Sequence, residues 1–119
     1  MNLQAKIRQV EPDIVVVHLS GGIILGEAEE LDSLVRDLLL QGEKKLIFEL
    51  SGVAQIDSIG GMTVVRCFFL VRDAGGELRF AGARASVARL FKNTLFDTAL
   101  PFDSTLAAAC EHFAGGAKT

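Results

Sequence analysis

The chain has 119 residues, half of them hydrophobic and 23% charged, with 12 basic side chains against 15 acidic ones for a net charge of −3. That length supports one core rather than two, and the composition excludes a disordered chain. The acidic balance, with no basic stripe, argues against nucleic acid as a partner.

Residues 3–9, LQAKIRQ, alternate apolar and polar side chains, which predicts an edge strand covered on one side. EPD at 11–13 reads as a turn, and IVVVHLS (14–20) as a more central strand paired with the first as a hairpin and ended by Gly21–Gly22. From Gly26 to Gln41 the period becomes helical. Leu31, Leu34, Val35, Leu38 and Leu39 form one stripe, and Glu27, Glu29, Glu30, Arg36 and Asp37 lie on the other side. Gly42 closes this helix.

LIFEL (46–50) predicts a buried strand interrupted by Glu49, and a second helix is expected over about 59–73, ended by AGGE. ELRFAGA (77–83) alternates as a strand, and RASVARLFKNT (84–94) predicts a short helix with Val87, Leu90 and Phe91 inward. LFDTALPF reads as a loop with at most a short extended segment. A last helix, STLAAACEHF, follows a cap at Ser104, and the tail at 114–119 is expected to lack structure. Strands and helices alternate after the hairpin, which predicts one α/β domain over 1–119 with its core over about 3–113. Its sheet would be mixed and mostly parallel, of four to five strands, with about four packed helices.

Searches for reactive constellations return little. There is no phosphate-binding G-x-x-x-x-G-K-[ST] loop and no G-x-S-x-G elbow. His18 and His112 are scattered, and the acids read as solvent faces of helices rather than as a metal or paired-carboxylate site. Cys67 and Cys110 lie far apart without C-x-x-C spacing, so reduced core thiols are expected rather than a disulfide or zinc site. Neither enzymatic activity, a metal nor a cofactor is expected. No segment approaches the ~18 uninterrupted apolar residues of a membrane span. MNLQAKIRQVEPD lacks the apolar centre of a signal peptide, so a cytoplasmic location without direct membrane insertion is expected.

The unusual junction is IDSIGG at 56–61, where a buried strand meets a helix. Asp57 and Ser58 are both favoured helix caps, whereas Gly60 and Gly61 weaken a first turn by up to about 1 kcal/mol each. They are tolerated where another backbone approaches closely. The helix behind them carries Met62, Val64, Val65, Cys67, Phe68, Phe69, Leu70 and Val71 around its whole circumference. Such a helix is either well covered or presents an apolar face to a partner.

LIFELSGVAQIDSIGGMTVV followed by RDAGGELRFAGARASVARLFKNTLFDTAL resembles the STAS domain family, the sulfate-transporter and anti-sigma-factor-antagonist domain. The resemblance runs from about Val15 to Phe113 and rests on D-S-x-G and A-G-G-x-L at their mutual spacing. It implies a soluble bacterial anti-sigma factor antagonist that regulates transcription by partner switching. Ser58 matches the serine phosphorylated by an anti-sigma factor serine kinase, Asp57 the acid before it and Gly60 the glycine opening the helix. A PP2C-type phosphatase would reverse the modification. The expected partner-binding residues are Asp57, Ser58, Ile59, Gly60, Gly61, Met62, Ile24 and Arg66. Ile59 stands where Ser or Thr is usual, Gly61–Met62 where Leu–Gly is often seen, and Ile24 where many soluble antagonists place an Asp. Two alternatives remain open: a non-enzymatic cytoplasmic subunit of a lipid ABC transport complex, and a small-molecule or nucleotide sensor with its pocket near Gly22 and Ser58. The apolar helix also makes a weak homodimer plausible.

Overall fold

A computed structural model describes residues 3–24, 28–92 and 100–118. Five strands form one sheet in the order of the chain: β1 (Gln4–Glu11), β2 (Ile14–Ile23), β3 (Lys45–Ile56), β4 (Glu77–Ala81) and β5 (Phe102–Asp103). β1 runs antiparallel to β2, and the other three pairings are parallel. The helices α1 (Ala28–Leu40), α2 (Ser58–Asp73) and α3 (Ala85–Lys92) link successive parallel strands, and α4 (Leu106–Lys118) follows β5. The mixed sheet and four helices agree with the architecture expected from the alternating pattern.

The alternation of side chains along each strand divides the core in two. Val15, Val17 and Leu19 of β2, Leu46, Phe48 and Leu50 of β3, and Leu78 and Phe80 of β4 face α1, α2 and α3. There they meet Leu31, Val35, Val64, Cys67, Val71, Val87 and Phe91. The opposite face is smaller: Ile14, Val16, Ile47 and Ala81 pack against Ala109 and Phe113 of α4. Strand β2 is covered on both sides, which is why Ile14–Val17 reads as an unbroken apolar run.

Several boundaries differ from the sequence expectation. β2 continues through Gly21 and Gly22 to Ile23, because parallel pairing with β3 persists past two register shifts. β3 runs to Ile56 rather than stopping at Leu50, and in the added stretch, where pairing with β2 shifts register twice, Val53 is buried and Ser51 and Gln55 are exposed. Helix α4 starts on Thr105, not Ser104, since Thr105 Oγ1 accepts a hydrogen bond from the Ala108 amide at 3.1 Å. The helix also extends to Lys118, through most of the tail expected to lack structure. The expected helical residues 26–27 and 93–94, and most of the LFDTALPF loop, lie outside the described residues.

Both helix ends marked by glycine are Schellman closures. Gly42 has φ +89°, with its amide on Leu39 O at 3.0 Å and the Glu43 amide on Leu38 O at 3.1 Å. Gly75 (φ +86°) and Gly76 close α2 in the same pattern, on Arg72 O and Val71 O.

Candidate functional site

The junction between β3 and α2 is built from the backbone outward. Asp57 is the N-cap, with extended backbone (φ −105°, ψ 179°), and its Oδ1 accepts the Gly60 amide at 2.7 Å. Its own amide reaches Ile23 O at 3.4 Å, and its carbonyl accepts the Gly61 amide at 2.8 Å. Ser58 is the first residue of α2 and is exposed. The choice between Asp57 and Ser58 as cap is thereby resolved: Asp57 caps, and Ser58 follows it as an exposed residue.

Gly60 and Gly61 are buried. A Cβ on Gly60 would lie 1.7 Å from the carbonyl oxygen of Ile23, and one on Gly61 would lie 2.9 Å from Leu90 Cδ2. The close backbone approach that the glycines permit is therefore intramolecular, between the end of β2 and the start of α2. Gly60 and Gly61 thus shape the junction from within.

The side chains of α2 divide by direction. Thr63, Val64, Cys67 and Val71 fill the inner face of α2. Ile59, Met62 and Arg66 follow one another at helical spacing on the outer face, where Ile59 is 44% and Met62 68% exposed. Phe69 continues this stripe half-buried, with the Arg72 guanidinium 4.9 Å from its ring centroid. The helix apolar on all sides is thus covered on one side only. Ile24 is half-buried and lines a recess of about 380 Å³ with Ala54, Gln55, Ile56, Asp57, Ser86 and Val87, directly beside the cap. The only charged side chain in that lining is Asp57, so nothing there would neutralise a nucleotide phosphate.

Arg66 is drawn toward α1, its Nε 3.4 Å from Asp32 Oδ1, while Arg36 Nε donates to Asp32 Oδ2 at 2.9 Å. Asp32 and Asp103 thus depart from the expectation that the acids are solvent faces. Hydrogen bonding to Asp32 and its charge hold the Arg36 guanidinium above its ordinary pKa. Burial, with the Asp32 charge adding, pushes the neighbouring Cys67 thiol up to about 12. Cys67 is therefore an inert core thiol. Pattern reading placed Arg36 only on a solvent face and gave Asp32 no role. An Asp–x–x–x–Arg pair on a helix is the signal that marks them.

A second polar cluster lies on the other side of the sheet. Asp103 Oδ2 accepts from Arg79 Nε at 2.8 Å, its Oδ1 lies 2.7 Å from His112 Nδ1, and Arg79 also reaches Glu77. His112 is thereby a structural residue joining α4 to β5. His18 sits 3.9 Å from Glu49, whose carboxylate accepts from Ser51.

This geometry matches a known family. The sequence profile of the STAS domain matches residues 5–109, and the chain belongs to the STAS domain family. Among solved structures, a candidate anti-sigma factor antagonist from Thermotoga maritima superposes with a TM-score of 0.81 at 23% identity, over 92% of each chain. An anti-sigma factor antagonist from Mycobacterium paratuberculosis gives 0.81 at 20% identity over 93% of each. The anti-sigma factor antagonist SpoIIAA in its unphosphorylated form gives 0.72 at 17% identity, over 94% of this chain and 99% of the other. SpoIIAA has also been solved in a phosphorylated form, which is likewise similar. A comparison with curated protein sequences finds no match. No helix among the described residues is long and apolar enough to cross a membrane.

Proposed function

We propose that the protein is a non-enzymatic, cytoplasmic anti-sigma factor antagonist that acts by partner switching, with α2 as its docking face and Ser58 as its phosphorylation site. The observation that carries this reading is the exposure of Ser58 in the first turn of α2, next in the helix to the exposed Ile59 and Met62. Membership of the STAS family and similarity to antagonist structures, one of them known in both phosphorylation states, support it. The partner is an anti-sigma factor serine kinase, and a PP2C-type phosphatase restores the unmodified form.

The electrostatics of the first turn suit a reversible switch. A phosphate adds about −1.5 to −2 charge. The helix dipole favours that charge by about 0.3–1 kcal/mol, and the adjacent Asp57 carboxylate opposes it, so folding changes little. At an interface the balance differs, because burying a poorly paired dianion against Met62 costs several kcal/mol. A cost of about 3 kcal/mol weakens binding more than a hundredfold.

The test is capture from extracts of the native cell with wild-type, Ser58→Ala and Ser58→Asp proteins, together with intact-mass measurement after incubation with the captured kinase. Wild type and Ser58→Ala should retain the same partner, Ser58→Asp should lose it, and only wild type should gain a phosphate. Equal capture by all three forms would defeat the switch, and recovery of a transport ATPase would favour a transporter subunit.

A further inference from the structure

Helices α1 and α2 present two arginines that share one carboxylate. Asp32 is mostly buried, with a side chain 20% exposed, and binds Arg36 through Oδ2 and Arg66 through Oδ1. The Arg36 side chain is 56% exposed and that of Arg66 59%. Both guanidiniums meet Asp32 through Nε, and neither makes a further hydrogen bond among the described residues. Two positive groups on one negative group leave a local excess of one positive charge in a chain whose net charge is −3. Asp32 Oδ1 is out of contact with solvent and accepts no hydrogen bond among the described residues, so Arg66 meets it as an ion pair alone and keeps its guanidinium donors.

An arginine held through Nε keeps its Nη fork for a second ligand, and that fork matches a carboxylate bidentately. Anchoring on Asp32 also removes part of the side-chain entropy that binding would otherwise cost. Met62, the most exposed apolar residue of α2, lies one helical turn from Arg66 on the same face. An exposed apolar anchor flanked by oriented arginines is the composition enriched at the centres of protein interfaces.

We infer that the protein partner of the α2 face carries an Asp or Glu side chain that enters the Arg36–Arg66 pair, next to an apolar depression that receives Met62. Asp32 acts as a positioning residue that orients the two forks. This inference rests on α2 being the docking face, and it adds the chemistry of the partner's surface.

The experiment uses the partner that wild type captures and Ser58→Asp releases, purified and titrated calorimetrically against the full chain. Arg36→Glu/Arg66→Glu should weaken binding by about thirtyfold or more and flatten its salt dependence. Arg66→Lys keeps the charge beside Asp32 but removes the fork, so it should weaken binding with an unchanged melting temperature, which separates recognition from folding. Reversing one interfacial acid of the partner to Arg should restore binding to the double-Glu variant. Binding of Arg66→Lys and of the double variant at wild-type strength, while Met62→Lys releases the partner, overturns the inference and leaves the docking face intact. Wild-type self-association abolished by the double variant would also overturn it, by making the occupant a second copy. If wild type captures no partner at all, the docking-face reading fails and this inference falls with it.

Discussion

Helices α1–α3 and helix α4 cover opposite faces of one sheet, yet they are anchored on very different scales. The α1–α3 layer is fixed by a large apolar cluster and by close backbone contacts, such as that of Gly60 with Ile23. Among the described residues helix α4 packs through Leu106, Ala109, Cys110 and Phe113 on a smaller cluster and adds one polar contact, from His112 to Asp103. Apolar side chains remain in solvent on the outer face of α2, as they do at Leu40 and Ile7 elsewhere. The inner face of α2 is saturated by the core, so Ile59 and Met62 on its outer face are available to a partner.

The sharpest way to break this contrast is Gly60→Ala. A methyl group 1.7 Å from a carbonyl oxygen forces β2 and α2 apart, and the expected loss is about 3 kcal/mol or more in denaturant unfolding. A near-neutral result would mean that the α1–α3 layer yields as easily as α4. Next in size is Asp103→Ala, which leaves Arg79, with a side chain only 14% exposed, without its main partner. A loss of about 2–3 kcal/mol is expected, with hydrogen exchange rising first in α4 and β5 and not in α2.

The two cysteines compare the layers directly. Burial holds Cys67 at about 12 and raises Cys110 by a smaller margin. Because the thiol of Cys67 ionises near 9.0 when unfolded and near 12 when folded, its contribution to stability is complete below 9.0. That contribution is lost as pH rises through 12. At pH 8.5, iodoacetamide should therefore modify the half-buried Cys110 first, and Cys67 only at the rate of unfolding. Equal rates would show α2 leaving the core.

Asp57→Ala removes the cap on Gly60 and should cost about 1 kcal/mol in the same unfolding assay. Met62→Lys should be the smallest, within about 0.5 kcal/mol, because the side chain is mostly in solvent. Its effect belongs in the partner titration, where binding should be lost.

Much of this was legible in the sequence where local patterns govern. The apolar stripe of α1, the glycine closures at Gly42 and Gly75 and the strand–helix junction at IDSIGG follow from periodicity and turn chemistry. The extension of β2 and β3 was not legible, because Gly21, Gly22, Ser51 and Gln55 look like strand breakers until parallel pairing is known. The close approach of Gly60 to Ile23 joins residues 37 positions apart, and Asp103 meets an arginine 24 positions away. Contacts of that range depend on topology, and no local window contains them. Within the site, Ser58 and Met62 were recognisable individually. The shared carboxylate of Arg36 and Arg66 emerged only when α1 and α2 were placed side by side.

Close backbone approaches bracket helix α2: Gly60 packs under the carbonyl of Ile23 in β2, and Gly76, just past the helix end, lies where a Cβ would fall 2.3 Å from the carbonyl of Lys44, just before β3. Such a helix has little room to shift or tilt. Its consequence is kinetic. Docking on α2, as proposed, would be the collision of a preformed surface, so the association rate should follow diffusion and long-range charge rather than a slow rearrangement of this protein. The timing of a switch at Ser58 would then be set by the enzymes that add and remove phosphate.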